Sequence, residues 1–323
     1  MEKKKLTKVN LLIAGAGGLI GSACVKMAKK NGNYNLFIPS RKELNYLNFN
    51  DFFNYCLTKN IEYIIFAVGK VGGIFDNQDN QINYMLYNTD LNTNLLKVAV
   101  KSNVKKIVTF SSSCMYSLQA KQPYEEKDLS FVDVEKTSFG YALSKFFLTK
   151  SSELFNFNHS NKCKFINVIP NSTYGPHDDF NLKTGHVLAC LIRKFYEASK
   201  KNKRQITLFG SGKPMREFIY SEDVASAVLF LLSKNYKDVC DIINIGSGKE
   251  ISISNLALKI SSIIGFKGKI IFDESYSDGA KRKFLNSSQI NNYGWYSSTS
   301  LENGLLKTFE WFKSNYEKIS NKG

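Results

Sequence analysis

Three glycines spaced three apart, Gly15, Gly18 and Gly21, follow an apolar run from Val9 to Ala14, and no other feature constrains the fold as much. The apolar run reads as a short buried strand, and the glycines as a tight turn into a helix expected over Gly21 to Lys30. Strand, glycine turn and helix form the opening of a dinucleotide-binding unit. The turn lets a pyrophosphate approach the backbone, and the helix start supplies N–H groups and a positive dipole end. Lys3, Lys4 and Lys5, ahead of the stretch from Val9 to Cys24, also resemble a signal peptide or lipoprotein leader. The glycines suit a phosphate-binding turn better.

The alternation continues downstream. Strands are expected at Asn35 to Ile38, Tyr63 to Val68, Lys106 to Phe110 and Phe165 to Ile169, and helices at Thr89 to Lys101 and Tyr141 to Phe155. Strands alternating with helices predict an α/β fold with a doubly wound parallel sheet. Past Pro170 the texture changes. Tyr174-Gly175-Pro176 and Gly210-Ser211-Gly212 read as turns, Glu222 to Ser233 and Ile253 to Ile264 as helices, and Ile242 to Ile245 as a strand that rejoins the sheet. The expected division is a Rossmann domain over 1–175, with 218–246 rejoining it, and a smaller substrate domain from 176–217 and 247–323.

Composition narrows the function classes. The chain carries 44 Lys and Arg against 28 Asp and Glu, a net charge of +16. The lysines are scattered among many Asn, Ile, Phe and Tyr residues, a general bias and not a basic stripe, so no nucleic-acid partner is expected. The excess can still draw in an anionic substrate. No apolar run approaches the roughly 18 residues that a membrane span needs. The six cysteines, Cys24, Cys56, Cys114, Cys163, Cys190 and Cys240, form no CxxC pair and sit beside no histidine at metal spacing. They read as free thiols in a reducing cytoplasm, with no metal site.

Several residues point to chemistry. The second strand runs into Ser40-Arg41, which suits a 2′-phosphate and therefore NADPH over NADH, unless Arg41 is only a surface charge. Tyr141 and Lys145 lie four apart on one expected helix and share a face. A nearby ammonium favours the phenolate, and Tyr141 can pass its proton to a carbonyl oxygen as hydride arrives at the carbon. Ser112, at a strand end, can bond the same oxygen. Cys114 lies two residues on, which in extended backbone puts it on the same side as Ser112. A thiolate there can remove a proton next to the carbonyl, and His186, opening a helical stretch from Val187 to Phe195, can supply one to the other face. Cys114 as packing and His186 as a helix-terminal polar residue stay open as alternatives. Arg216 can grip a diphosphate bidentately, with Arg193 a second anion candidate. Asp278-Gly279 with Lys283 forms a polar turn that can read a sugar or base edge. Ordinary surface loops are the alternative, weightier for Lys283 than for Arg216.

Taken together the chain resembles the GDP-L-fucose synthase family of extended short-chain dehydrogenase/reductases, from about Val9 to about Trp311. The resemblance is carried by Lys70-Val71-Gly72-Gly73-Ile74, Ser112-Ser113-Cys114-Met115-Tyr116, Tyr174-Gly175-Pro176-His177-Asp178 and Gly210-Ser211-Gly212-Lys213-Pro214-Met215-Arg216-Glu217-Phe218. Gly265-Phe266-Lys267-Gly268 and Gly294-Trp295 add to it. It implies a cytoplasmic homodimer that epimerises C3 and C5 of GDP-4-keto-6-deoxy-mannose and then reduces C4 with NADPH. Ser112, Tyr141 and Lys145 would carry the reduction, and Cys114 and His186 the epimerisation. The expected cofactor site comprises Gly15, Gly18, Leu19, Ile20, Gly21, Ser40, Arg41 and Ala67 with Tyr141 and Lys145. The expected substrate site comprises Lys70, Asn171, Arg193, Phe209, Arg216, Asp278 and Lys283.

The chain departs from the family in several loops. Ala16-Gly17 stands where the family has His-Arg, and Thr137-Ser138-Phe139-Gly140 where it has Thr-Asn-Glu-Pro. Pro170-Asn171-Ser172-Thr173-Tyr174-Gly175-Pro176 replaces Pro-Thr-Asn-Leu-Tyr-Gly-Pro, and Ser277-Asp278-Gly279-Ala280-Lys281-Arg282-Lys283 replaces Pro-Asp-Gly-Thr-Pro-Arg-Lys. Similar enzymes of capsule and other surface-polysaccharide pathways only reduce C4, acting on GDP-4-keto-heptoses without epimerising them. Phe139-Gly140 in place of Glu-Pro would make room for such a longer sugar, and restoring Glu-Pro would then shift preference towards a hexose.

Overall fold

The computed structural model of the protein describes residues 8–159 and 162–321, so Lys3, Lys4 and Lys5 lie outside the described residues. The chain opens with β1 (Val9–Ala14), α1 (Leu19–Asn31), β2 (Tyr34–Phe37), α2 (Phe49–Thr58), β3 (Tyr63–Phe66), α3 (Ile74–Asp79) and α4 (Gln81–Lys101). It continues through β4 (Lys106–Phe110), α5 (Phe139–His159), β5 (Lys164–Pro170), β6 (Ser172–Tyr174), α6 (Val187–Lys200), β7 (Gln205–Phe209) and β8 (Met215–Tyr220). It ends with α7 (Ser221–Ser233), β9 (Ile242–Ile245), β10 (Glu250–Ser252), α8 (Ile253–Ile264), β11 (Lys269–Asp273), β12 (Arg282–Lys283), α9 (Ser288–Asn292) and α10 (Leu301–Ser320).

Six strands form one parallel sheet in the order β2-β1-β3-β4-β5-β9. Burial on both faces explains the continuous apolar runs of its strands. In β1, Leu11 and Ile13 point into a core shared with α1 and α7, while Leu12 and Ala14 point into one shared with α2, α4 and α5. The strand Ile242–Ile245 closes one edge, pairing with β5 after α7. The remaining strands build two small sheets, β10-β8-β12 with β6 against β8, and β11-β7. These pack with α6, α8 and α10 around a third core that includes Phe195, Leu256 and Phe312.

Some elements differ from expectation. The third strand stops at Phe66, two residues short of Val68, because Gly69 and Lys70 turn to meet Asn88. Helix α4 starts at Gln81, a full two turns before Thr89. The stretch before Thr89 ends at Asn88, a weak helix former whose side chain is held by tertiary bonds. Asn88 bonds the Lys70 backbone in both directions, at 2.8 and 2.9 Å, and Asn92 donates to the Ser144 carbonyl at 2.9 Å. After β4 the chain is not extended as expected. Ser113–Met115 forms a short 3-10 turn, with the Ser112 hydroxyl accepting from the Cys114 N–H at 3.2 Å. Among the described residues no helix is long and apolar enough to cross a membrane.

Candidate active site

The site forms at the carboxyl ends of the parallel strands. Gly15 turns the chain out of β1 with a φ of 79°, a left-handed conformation that favours glycine. A side chain there would also run into the Ala67 carbonyl oxygen at the end of β3, and one at Gly21 would strike the Gly15 carbonyl. The turn and helix are thus in backbone contact. Gly18 caps α1 with no side-chain hydrogen bond and no acid in the first turn, which leaves the N–H groups of Leu19, Ile20 and Gly21 free for an anion. The Cβ position of Gly17 opens on free space. This cradle fits the pyrophosphate of a dinucleotide. At its rim the Ser40 N–H donates to the Glu43 carboxylate at 2.8 Å, and Ser40 holds that carboxyl below its usual range. An acid therefore folds back beside Ser40 and the exposed Arg41.

Helix α5 presents Tyr141 and Lys145 beside this cradle. The Lys145 Nζ lies 5.6 Å from the centre of the Tyr141 ring, and 3.8 Å from where a Gly69 side chain would begin. Burial pulls the Lys145 ammonium down to about 8. Burial likewise raises the Tyr141 phenol, the neighbouring Cys114 raises it further, and Ser112 pulls it back. Lys145 is not among the groups that set it. The lowering expected from Lys145 does not appear: the phenol stands above its ordinary value, and burial sets that direction. Ser112, Cys114 and Tyr141 do meet, since the 3-10 turn after β4 brings Cys114 round towards α5.

From the other side β8 and β12 deliver two cations. Arg216 and Lys283 are direct register partners across these parallel strands. The Lys283 Nζ donates to Glu135 Oε2 at 2.5 Å and lies 3.8 Å from Cys114 Sγ. It is an enclosed residue, not part of an ordinary surface loop. Burial would lower its ammonium, but Cys114 and Glu135 outweigh this and hold it above its ordinary value. Burial would raise the Glu135 carboxyl, yet Lys283 and Arg216 keep it below the usual range. Burial lowers the Arg216 guanidinium, opposed by Glu135, Cys114 and Asp278. One Arg216 N–H bonds the Met215 carbonyl at 2.8 Å. His186 caps α6 in extended conformation, and its surroundings lower it through burial, with Asp179 opposing and Lys283 assisting.

The remaining expected residues divide. Asp278 accepts from the Ser211 N–H at 2.9 Å and its hydroxyl at 2.6 Å, within electrostatic reach of Arg216. Phe209 stacks on Tyr276 with ring centres 4.0 Å apart, and the Lys194 ammonium sits 4.5 Å from its ring centre. These form an open aromatic and polar rim next to the cations. Lys70 lies near the Lys145 side, its ammonium 4.4 Å from the Tyr87 ring centre. Asn171 points inward, donating to Glu217 at 2.5 Å and to the Lys283 carbonyl at 3.3 Å. Arg193 is turned towards its own helix and the Phe180 loop, bonded to Glu197 at 2.8 Å and to the Phe180 carbonyl at 3.4 Å.

Two acids escaped the sequence reading. Glu135 sits in a loop with no motif around it. Glu217 is fully buried and gathers Asn171, the Gly248 N–H at 2.7 Å and the Leu285 N–H at 3.2 Å, fixing β8 and the segment after β12. The one signal was its place beside Arg216 in the quoted motif. Gly140, by contrast, offers no room for a longer sugar. A side chain there would strike the Gln81 carbonyl at the start of α4, and the Gly140 N–H donates to Gln81 Oε1 at 3.1 Å. Proline would lose that bond and clash, so restoring Glu-Pro would disturb the α4–α5 contact and not the pocket.

Comparison with known proteins agrees with this fold. A model of the NAD dependent epimerase/dehydratase family matches residues 11–246. GDP-L-fucose synthase of Escherichia coli (strain K12) is 33% identical, over 97% of this chain and 99% of its own. GDP-L-colitose synthase of Yersinia pseudotuberculosis is 30% identical, over 94% and 98%. The solved structure of MlghC, a GDP-mannoheptose C4 reductase from Campylobacter jejuni with NADP bound, superposes with a TM-score of 0.83 at 30% identity, covering 95% of this chain and 99% of that one. With the glycine turn, the parallel sheet and the Tyr141–Lys145 helix in place, these full-length matches make the chain a member of the NAD dependent epimerase/dehydratase family of extended short-chain dehydrogenase/reductases, in its GDP-L-fucose synthase group.

Proposed function

We propose that the chain is an NADPH-dependent C4 reductase of a GDP-linked 4-keto sugar that also epimerises C3 and C5 of the ring. The observation that carries this reading is the meeting of Ser112, Tyr141, Cys114, Arg216 and Lys283 at the end of β4. The glycine turn and the α1 N-terminus would hold the cofactor pyrophosphate. NADPH bound there supplies hydride to the sugar C4. Tyr141 gives its proton to the carbonyl oxygen, which Ser112 holds in place. For epimerisation the Cys114 thiolate takes a proton from the carbon next to the carbonyl, and the electron pair moves onto the carbonyl oxygen. His186, protonated, returns a proton to the opposite face of that carbon, so the thiol gains and the imidazole loses one proton. Arg216 supports the diphosphate, and the Phe209–Tyr276 rim faces the nucleoside end.

Free cysteines fit a reducing cytoplasm. Exposed Leu86 on α4, with Phe147 and Leu154 on α5, supports a homodimer through these helices. A second reading, a dedicated C4 reductase of a GDP-4-keto-heptose, is favoured by the likeness to MlghC. One experiment separates them. The protein is incubated with GDP-4-keto-6-deoxy-mannose and NADPH in heavy water, and the product is read by mass spectrometry. A reduced sugar with ring deuterium is expected. Reduction without ring deuterium, or no turnover, turns the assignment to the heptose reductase. Tyr141→Phe should lower reduction by about a thousandfold.

A further inference from the structure

We propose that Glu135 is a positioning residue for the proton-transfer half of the site, holding the Lys283 ammonium against the Cys114 sulfur so that Lys283 serves the thiol and not the substrate diphosphate. The inference rests on the reading above in one respect, that Cys114 handles a ring proton. Glu135 Oε2 accepts from Lys283 Nζ at 2.5 Å, and the same nitrogen lies 3.8 Å from Cys114 Sγ. The two side chains are only 14% and 15% exposed, so solvent screens the pair weakly and its geometry fixes where the ammonium points. An ammonium has three donors, and two of them are spent on Glu135 and Cys114. Arg216, the register partner of Lys283, spends one N–H on the Met215 carbonyl of its own strand.

The charged and titratable groups that face this cluster come from every element around it. They are Glu135 from the loop before α5, Tyr141 from α5, Arg216 from β8, Tyr124 from the loop after β4, Asp278 from the loop before β12, and His186 from the start of α6. Among the described residues, Lys283 is the one cation within hydrogen-bond reach of the sulfur. Glu135 therefore acts on Cys114 through Lys283. By its charge alone a nearby carboxylate would oppose a thiolate, which gives positioning and simple charge opposite signs.

Iodoacetamide alkylation of the whole chain, without substrate, tests this. The rate is followed at each cysteine by peptide mass spectrometry, with the exposed Cys240 as internal reference. Glu135→Leu is expected to slow Cys114 alkylation about tenfold at neutral pH. Glu135→Gln should recover most of that rate, since a carboxamide oxygen still accepts from the ammonium. In a Lys283→Met background the slowing should vanish, and loss of the Glu135 charge should leave the Cys114 rate unchanged or raise it. A Cys114 rate that is unchanged or faster in Glu135→Leu overturns the proposal, as does a slowing by Glu135→Leu that persists once Lys283 is gone. Should Glu135→Leu fail to fold, Lys283→Met with and without Glu135→Gln decides by the same rule. The heavy-water experiment on the same preparation keeps the two readings apart. Glu135-dependent alkylation without ring deuterium removes the epimerase reading alone, and ring deuterium with Glu135-independent alkylation removes this assignment alone.

Discussion

A buried lysine and a half-buried one flank the same pair of reactive side chains, and their surroundings differ in kind. Lys145, beside Tyr141, has no carboxylate or hydrogen-bond acceptor on its ammonium among the described residues, and burial pulls it down to about 8. Lys283, beside Cys114, is neutralised by Glu135 and stays above its ordinary value. The cofactor side thus carries an unsatisfied cation facing the dinucleotide cradle. The substrate side satisfies its cation from within. A charge left unpaired inside a protein is costly and is kept for what it will bind, whereas a paired one is part of the built frame.

Replacing each lysine by methionine should break this comparison most sharply. Lys145→Met is expected to lower C4 reduction by a factor on the order of 10²–10³ and yet raise stability at neutral pH. The sign follows from linkage. The Lys145 pKa in the fold is about 8 against an ordinary 10.5, so below 8 the fold carries a buried ammonium, and the penalty fades between 8 and 10.5. The gain should be on the order of a few kcal/mol at pH 7 and disappear above pH 10.5 in urea unfolding. Lys283→Met should do the reverse, costing about 3 kcal/mol at pH 7 because the largely enclosed Glu135 is left beside Arg216 alone. Equal signs for the two variants would dissolve the distinction.

Contacts between elements supply a smaller test. Gly140→Ala places a methyl group against the Gln81 backbone, which the start of α4 must yield to accept. A loss of about 2 kcal/mol is expected in urea unfolding, typical of overpacking where backbone must move. A variant of wild-type stability would show that the α4–α5 contact is loose, and would return Phe139-Gly140 to the pocket as a specificity element.

The same contrast separates what was legible in the sequence from what was not. The strand Val9–Ala14 with its glycines, and Tyr141 four residues before Lys145, are local patterns whose spacing carries their meaning. So the parallel sheet and the cofactor side could be read along the chain. Glu135 and Glu217 carry no such spacing. Each becomes informative only when β8 and β12 pair and bring residues some 70 to 150 positions apart into bonding distance, as in Leu285 with Glu217 and Lys283 with Glu135. The turn at Ser113–Met115 was equally hidden, because a strand end followed by serines does not announce a 3-10 turn. Helix α4 was visible only from Thr89 on; the stretch before it ends at Asn88, which is bonded to the Lys70 backbone of another segment.

Arg282 and Lys283 bring the comparison down to two consecutive residues. Both are on β12 and both pair with a glutamate, on opposite faces of a short strand. Arg282 grips Glu250 with two parallel N–H bonds of 2.7 and 2.5 Å, tying β12 to β10 across β8, and its side chain is 39% exposed. Solvent screens this pair, so Arg282→Met should cost no more than about 1 kcal/mol in thermal unfolding. Turnover should stay within about twofold, since Arg282 reaches neither Cys114 nor Tyr141 and a loss of that size leaves the fold intact. A large loss of turnover with little loss of stability would mean that the register of β12, held from its outer face, sets where the Lys283 ammonium stands. The outer pair would then belong to the same positioning device as Glu135, and the boundary between frame and site would lie one residue further out than the enclosed cluster places it.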